Sequence, residues 1–222
     1  MDKIKKFLTL LLPWALRRIV LNKWFGYEIH PSASIGLAWI FPKKLIMGVD
    51  CRIDHLTVAV NLERIEMQDY AFIGRSNWIT GFEVGTGSKH FKHQPDRNSV
   101  LVIGKHSAIT KNHHIDCTNE VHIGAYVTIA GYQSQILTHS IDVYENRQDS
   151  KPIYIGDYAF VGTNSVLLGG TSLPAYSLLA AKSLLSKSFV EEWKIYAGVP
   201  AKPIADLPKT AKYFSRADGF VY

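Results

Sequence analysis

Every six residues an aliphatic side chain returns, and no feature of this chain constrains its fold more. Toward the C-terminal end Ile155, Val161, Leu167, Leu173, Leu179 and Leu185 fall on six consecutive steps. Two residues before most of them stands a small residue: Ala159, Ser165, Thr171, Ser177 and Ser183. The same spacing runs through Ile103, Ile109, Ile115 and Val121, through Ile123 and Ile129, through Met67, Ile73 and Ile79, and more faintly through Ile29 and Ile35. Six is neither 3.6 nor 2, so neither a helix stripe nor a simple amphipathic strand accounts for it. A short strand with a corner every six residues does. The aliphatic side chain points inward, Gly, Asn or Asp after it tolerates the corner backbone, and the small residue leaves room for the neighbouring corner. Successive turns of chain then stack about 4.8 Å apart.

The beat occupies most of a 222-residue chain that is 47% hydrophobic, enough for one domain with a small appendage. The expected divisions are a helical segment over residues 1–26, the repeat domain over 27–205 and a tail over 206–222. Cys51 and Cys117 match no disulfide or metal pattern, which favours a reducing, cytoplasmic setting. The net charge of +6 is not gathered in one long run and accompanies no nucleic-acid motif, so nucleic-acid binding is excluded from the expectations. Residues 1–24 combine Lys3, Lys5, Lys6, Arg17, Arg18 and Lys23 with apolar runs around Pro13. Pro13 suits a helix start and Gly26 a helix end. No cleavage site follows, and the apolar run is about half the 20 residues a membrane span needs. Two readings remain: helices packed on the domain or on a sister subunit, and a basic amphipathic surface lying on the inner face of an anionic membrane.

Two insertions break the beat, and solenoids place such insertions at corners, often on the binding face. The first, residues 82–100, is glycine-rich and then basic. The second runs from about Asp142 to Pro152 and carries Arg147, directly after Thr138 and His139. An imidazole with a reference pKa near 6.5 accepts a proton at neutral pH. Asp142, Glu145 or a backbone carbonyl would orient it.

The repeat, the Thr138-His139-x-x-Asp142 segment and the Ala197-Gly-Val-Pro-Ala-Lys202-Pro-Ile segment resemble those of the hexapeptide-repeat acyltransferases. Within that family the chain is similar to the maltose and galactoside O-acetyltransferases and to the colanic-acid type that decorates polysaccharides. The resemblance implies an all-β fold: a left-handed parallel β-helix of roughly seven coils over residues 29–190, on the order of 35 Å tall, with short N-terminal helices and two protruding loops. It implies acetyl-CoA as co-substrate, no metal, and direct transfer of acetyl to a sugar hydroxyl with His139 as general base. It places the oxyanion contact on the backbone amide of Thr163 and puts Ala180, Ala181, Ser186, Lys187 and Lys202 along coenzyme A. Asn112, His114, Asp116, Phe160 and Arg147 fall toward the acceptor. The family departs here at Phe160, where it has tryptophan, at Thr163, where it has serine, and at Ala180, often glycine. Active sites lie between subunits of a homotrimer in that family. The alternatives are an N-acyltransferase on an amino-sugar nucleotide, a xenobiotic acetyltransferase, and a scaffold or carbonic-anhydrase-like trimer, for which no suitable histidine set is present.

Overall fold

Stacked six-residue strands generate three flat faces, and a computed structural model describing residues 2–221 shows them. Each coil contributes one strand to each face, so every face is a ladder of parallel strands: seven on the first, seven on the third, and on the second eight, with a ninth strand antiparallel at its end. Seven complete coils run from Glu28 to Leu185. The repeat aliphatics lie inside: Val161, Leu167, Leu179 and Leu185 are fully buried, and Ile155 and Leu173 nearly so. Two helices precede the coils, α1 (Asp2–Leu10) and α2 (Trp14–Phe25). Met1 and Tyr222, at the ends of the expected helical segment and tail, lie outside the described residues.

The small residues two before each aliphatic are buried and do more than leave space. Ser165 Oγ donates to the carbonyl of Ala180 (3.1 Å), and Ser107 Oγ to that of Gly124 (2.6 Å). These bonds satisfy corner carbonyls that strand pairing leaves over.

The glycines that follow the aliphatics serve differently from expectation. Gly124, Gly156 and Gly162 are not in the left-handed region. A Cβ on them would sit 2.7 Å from the amide of Asp157, 2.8 Å from Cα of Ala175 and 2.8 Å from Cα of Ala181, respectively. They are required by the close approach of stacked corners, one coil above another. The left-handed positions fall on later corner residues, Asn112 and Asn164 among them, and at the corner between the first and second faces they carry rings from the third coil onward, after Asp50 in the second. Tyr70, His106, Tyr126, Tyr158, Tyr176 and Trp193 stack in one column, with centroids 4.6–5.3 Å apart and planes within 13°. Stacking of this kind offsets the cost of a positive φ at a bulky residue.

Both ends of the ladder are covered, as open strand edges require. At the first coil, α2 turns a buried face inward. Trp14 Nε1 donates to Ala33 O (3.0 Å), and Arg17 donates from Nη1 and Nη2 to Gly36 O (2.7 Å) and Ala38 O (2.9 Å). At the far end, Lys194–Gly198 adds an eighth rung to the second face, and Ala201–Asp206 folds back antiparallel on it. The remaining segment returns along the ring column. Phe214 meets Tyr176 and Trp193 edge-on, Arg216 lies over Tyr213, Tyr158 and Tyr126, and Gly219 fits so tightly that a Cβ would sit 2.6 Å from His106 O.

The two insertions fall where the beat stops. Residues 82–99 separate the third and fourth coils. After Leu137 the second insertion is an antiparallel hairpin, His139–Asp142 paired with Arg147–Ser150, rather than an irregular loop.

Candidate active site

The hairpin puts His139 at its base, where the fifth coil leaves the third face. Directly beneath, one coil earlier, the strand His114–Cys117 pairs with Gln135–Leu137 so that Asp116 lies opposite Leu137. The Asp116 carboxylate therefore meets the start of the hairpin. Its Oδ2 accepts His139 Nδ1–H at 2.8 Å, the backbone amides of Thr138 and His139 at 3.0 Å each, and lies 2.8 Å from the Thr138 hydroxyl. Its Oδ1 accepts the Thr118 amide (3.1 Å) and hydroxyl (2.7 Å). Asp116 is 8% exposed. Burial alone would raise its pKa, but hydrogen bonds from His139, Thr118 and Thr138 outweigh burial and hold it below the usual carboxylate range.

Because an ionised carboxylate only accepts, the proton on the imidazole is fixed at Nδ1, and Nε2 carries the free lone pair. The hydrogen bond to Asp116 raises the His139 pKa above 6.5, against partial burial and the charge of Arg97. The ring borders a hollow of about 200 Å³ that also takes in Ser140, Lys151, Gly169 and Ser186. An oriented imidazole with an open Nε2 beside such a hollow can take a proton from a bound hydroxyl.

Asp142 does not orient the histidine. Its Oδ1 accepts the amides of Tyr144 and Glu145 (3.0 and 3.2 Å) and closes the far turn of the hairpin. Asp116, expected at the acceptor, holds His139 instead. Arg147 pairs with Asp142, three rungs from His139, and is exposed there. Phe160 meets Tyr213 of the C-terminal segment edge-on at 5.7 Å, so the segment covers the wall expected to face the acceptor.

The other residues divide between two edges of the third face. Ser186 and its neighbour Lys187 share the His139 edge, where Lys187 Nζ lies over the Phe189 ring. Thr163 and Ala181 stack on the opposite edge. The amides of both have no acceptor among the described residues, because the corner turns them outward. Beside them Asn112, His114 and Asn164 line a hollow of about 290 Å³ with Gln133 and Gln135. Ala180 is held by its amide to Tyr196 O (2.8 Å), and Lys202 pairs with Ala197, exposed, at the end of the prism. A corner at Asn164 and then the whole strand Val166–Leu168 separate Thr163 from Gly169. Within one chain the His139 edge and the Thr163 edge thus lie on opposite sides of the third face.

Sequence reading missed how the two insertions are joined. Gln94 Nε2 donates to Asp149 Oδ1 and to Ser150 O (2.9 Å each), while its Oε1 accepts the Ser150 hydroxyl (2.7 Å). Phe91 of the first insertion meets the His139 ring edge-on, with centroids 6.2 Å apart. Phe91 sits in the left-handed region at φ 59°, a position no composition rule would flag. His113, by contrast, is structural. It is fully buried between Thr110 Oγ1 and the Ser134 amide, and burial pushes its pKa down to about 4. No group of three or more metal-type ligands occurs among the described residues.

Solved structures of the same architecture exist. A hexapeptide-repeat-containing acetyltransferase from Vibrio cholerae, complexed with acetyl coenzyme A, matches 93% of this chain and 85% of its own at 20% identity, with a TM-score of 0.53. An N-acyltransferase from Bacillus cereus, in complex with dTDP-4-amino-4,6-dideoxyglucose and coenzyme A, matches 89% of this chain and 93% of its own at 14% identity and a TM-score of 0.55. No family model matches the sequence, and no curated protein does. The fold is that of the hexapeptide-repeat acetyltransferases, a left-handed parallel β-helix.

Proposed function

We propose that the chain is an acetyl-CoA-dependent O-acetyltransferase acting on a sugar hydroxyl in bacterial surface polysaccharide or glycan biosynthesis. The Asp116–His139 pair, with Nε2 open beside the Ser186 hollow, carries this reading. His139 Nε2 removes the proton as the acceptor oxygen attacks the thioester carbonyl. The tetrahedral oxyanion is met by the free amide of Thr163. Collapse breaks the carbon–sulfur bond, and the proton on His139 passes to the leaving thiolate, giving coenzyme A and the acetyl ester.

This chemistry needs both edges. A homotrimer supplies them, the His139 edge of one subunit facing the Thr163 and Ala181 edge of the next. The hairpin supports such a contact: Ile141, Val143 and Tyr144 project from it, Tyr144 96% exposed. Ala180, Ser186, Lys187 and Lys202 then border the coenzyme A groove. The test is thiol release from acetyl-CoA with neutral sugars, amino-sugar nucleotides and hydroxyl-bearing antibiotics as acceptors. Transfer confined to amines would move the reading to N-acylation, and confinement to antibiotics would move it to xenobiotic modification.

The helices favour a cytoplasmic enzyme held at the inner membrane face. Six of the 25 basic residues but only one of the 19 acidic ones fall in residues 2–25, leaving the rest nearly balanced. On α1 and just past its end, Ile4, Phe7, Leu8 and Leu11 are 49–69% exposed at i, i+3, i+4, i+7 spacing, and Leu16, Ile19 and Trp24 are exposed on α2. No helix among the described residues is long and apolar enough to cross a membrane. Co-sedimentation with phosphatidylglycerol vesicles is expected, and Phe7→Asp with Leu11→Asp should abolish it without uncapping the first coil. Failure of the unaltered protein to sediment with these vesicles defeats the membrane reading.

A further inference from the structure

The first insertion encloses a cavity that the transfer chemistry leaves unassigned. Residues between Phe82 and Arg97 wrap a hollow of about 300 Å³, at the small end of ligand-site sizes. Its wall is built around a buried cation. Arg97, 6% exposed, lies against the rings of Phe82 and Phe91 (5.5 and 4.7 Å). Nη1 donates to Phe82 O (2.6 Å) and Thr118 O, and Nη2 to Glu83 O (3.3 Å). These acceptors are all neutral carbonyls. Among the described residues no carboxylate lies within ion-pair distance of Arg97, though Glu63 and Asp116 act on it from farther away, and its buried Nε has no acceptor.

Of the nearby acids, Glu63 is paired with Lys43 at 2.9 Å and Asp116 with His139 at 2.8 Å. Glu83, the acid in the lining, is drawn to Lys43 at 3.4 Å. Lys92 is exposed and forms no ion pair among the described residues, and His90 lines the hollow beside it. Gly85 and Gly87 expose bare backbone, since a Cβ on either would meet nothing within 4 Å. Phe91 is shared: it lines this hollow and meets the His139 ring. The Ser186 hollow also borders His139, so the histidine stands between the two spaces.

We propose that the insertion cavity is an anion-binding subsite for the acceptor. It takes a sugar bearing a phosphate or carboxylate, held by Lys92, Arg97 and the Gly85–Gly87 backbone, with a hydroxyl of the same molecule presented to His139. The inference rests on the acetyl-transfer reading above and narrows its acceptor class.

Acetyl-CoA with glucose, glucose 6-phosphate and glucuronate separates the possibilities, the latter two distinguishing phosphate from carboxylate. At least one acidic sugar should show a KM about tenfold below that of glucose. Lys92→Ala should raise that KM about 5- to 10-fold, Lys92→Glu further, with kcat and the KM for acetyl-CoA unchanged. Equal KM values for neutral and acidic sugars, or no response to either Lys92 variant, overturn the subsite while leaving acetyl transfer standing. If no sugar is acetylated, the transfer reading fails and calorimetry of the two acidic sugars decides the subsite alone. Binding weakened by Lys92→Glu upholds it, and absence of binding overturns it.

Discussion

Replacing His139 by alanine should lower kcat for acetyl transfer about 10²–10⁴-fold, the range that general base catalysis contributes. The KM for acetyl-CoA should change little, since the imidazole acts on the acceptor proton and not on the thioester donor. A loss below about tenfold would remove His139 from the role of base. The pH profile carries a second signature. Only neutral imidazole accepts a proton, and Asp116 raises the His139 pKa above 6.5. Thus kcat/KM should climb with pH along a limb whose midpoint lies above 6.5, and His139→Ala should flatten it. The same shift has a stability consequence of opposite sense. The ion pair contributes fully below 6.5, and its contribution is lost as pH rises through the folded-state value.

Asp116→Asn should be the next most damaging change, lowering kcat by about 10²-fold or more, as expected when a histidine loses the carboxylate that stabilises its charged form. Six groups converge on the two carboxylate oxygens, four of them at Oδ2. An amide offers one oxygen and one NH₂, so one of these clusters must face a donor. With the oxygen kept toward His139, the Nδ1–H tautomer survives but the charge is gone, and the ascending limb of kcat/KM should shift to lower pH. That shift, measured alongside an unchanged coenzyme A affinity, distinguishes positioning of His139 from simple loss of fold. A variant with wild-type kcat and an unmoved limb would show that Asp116 only packs the hairpin base.

The seven coils were legible because each rung needs an inward aliphatic, and that need repeats in the sequence as Ile155 through Leu185. His139 was legible because it stands where the beat stops. Its partner was not, although the signal existed. Asp116 follows Ile115, which pairs with Ile136, so counting by coils instead of along the chain places its carboxylate under the hairpin. Coils of unequal length hide that vertical neighbour, and the nearer Asp142 competes for attention. The glycine roles were misread for a related reason: the crowding at Gly124 and Gly156 comes from the coil above, not from local backbone torsion. Nor did any local pattern reveal that Tyr213 would cover Phe160, since the contact joins segments 53 positions apart.

Stacked coils ordinarily couple only to the next coil, so a solenoid melts by fraying from its ends. The C-terminal segment changes that arithmetic. Gly219 sits against His106 at the fourth coil, Arg216 against Tyr126 and Tyr158 at the fifth and sixth, and Phe214 against Tyr176 and Trp193 beyond them. It acts as a splint laid across the rungs. The last coil cannot peel away without lifting contacts made several storeys below, so the half of the prism that holds Asp116, His139 and Ser186 is tied into a single cooperative block.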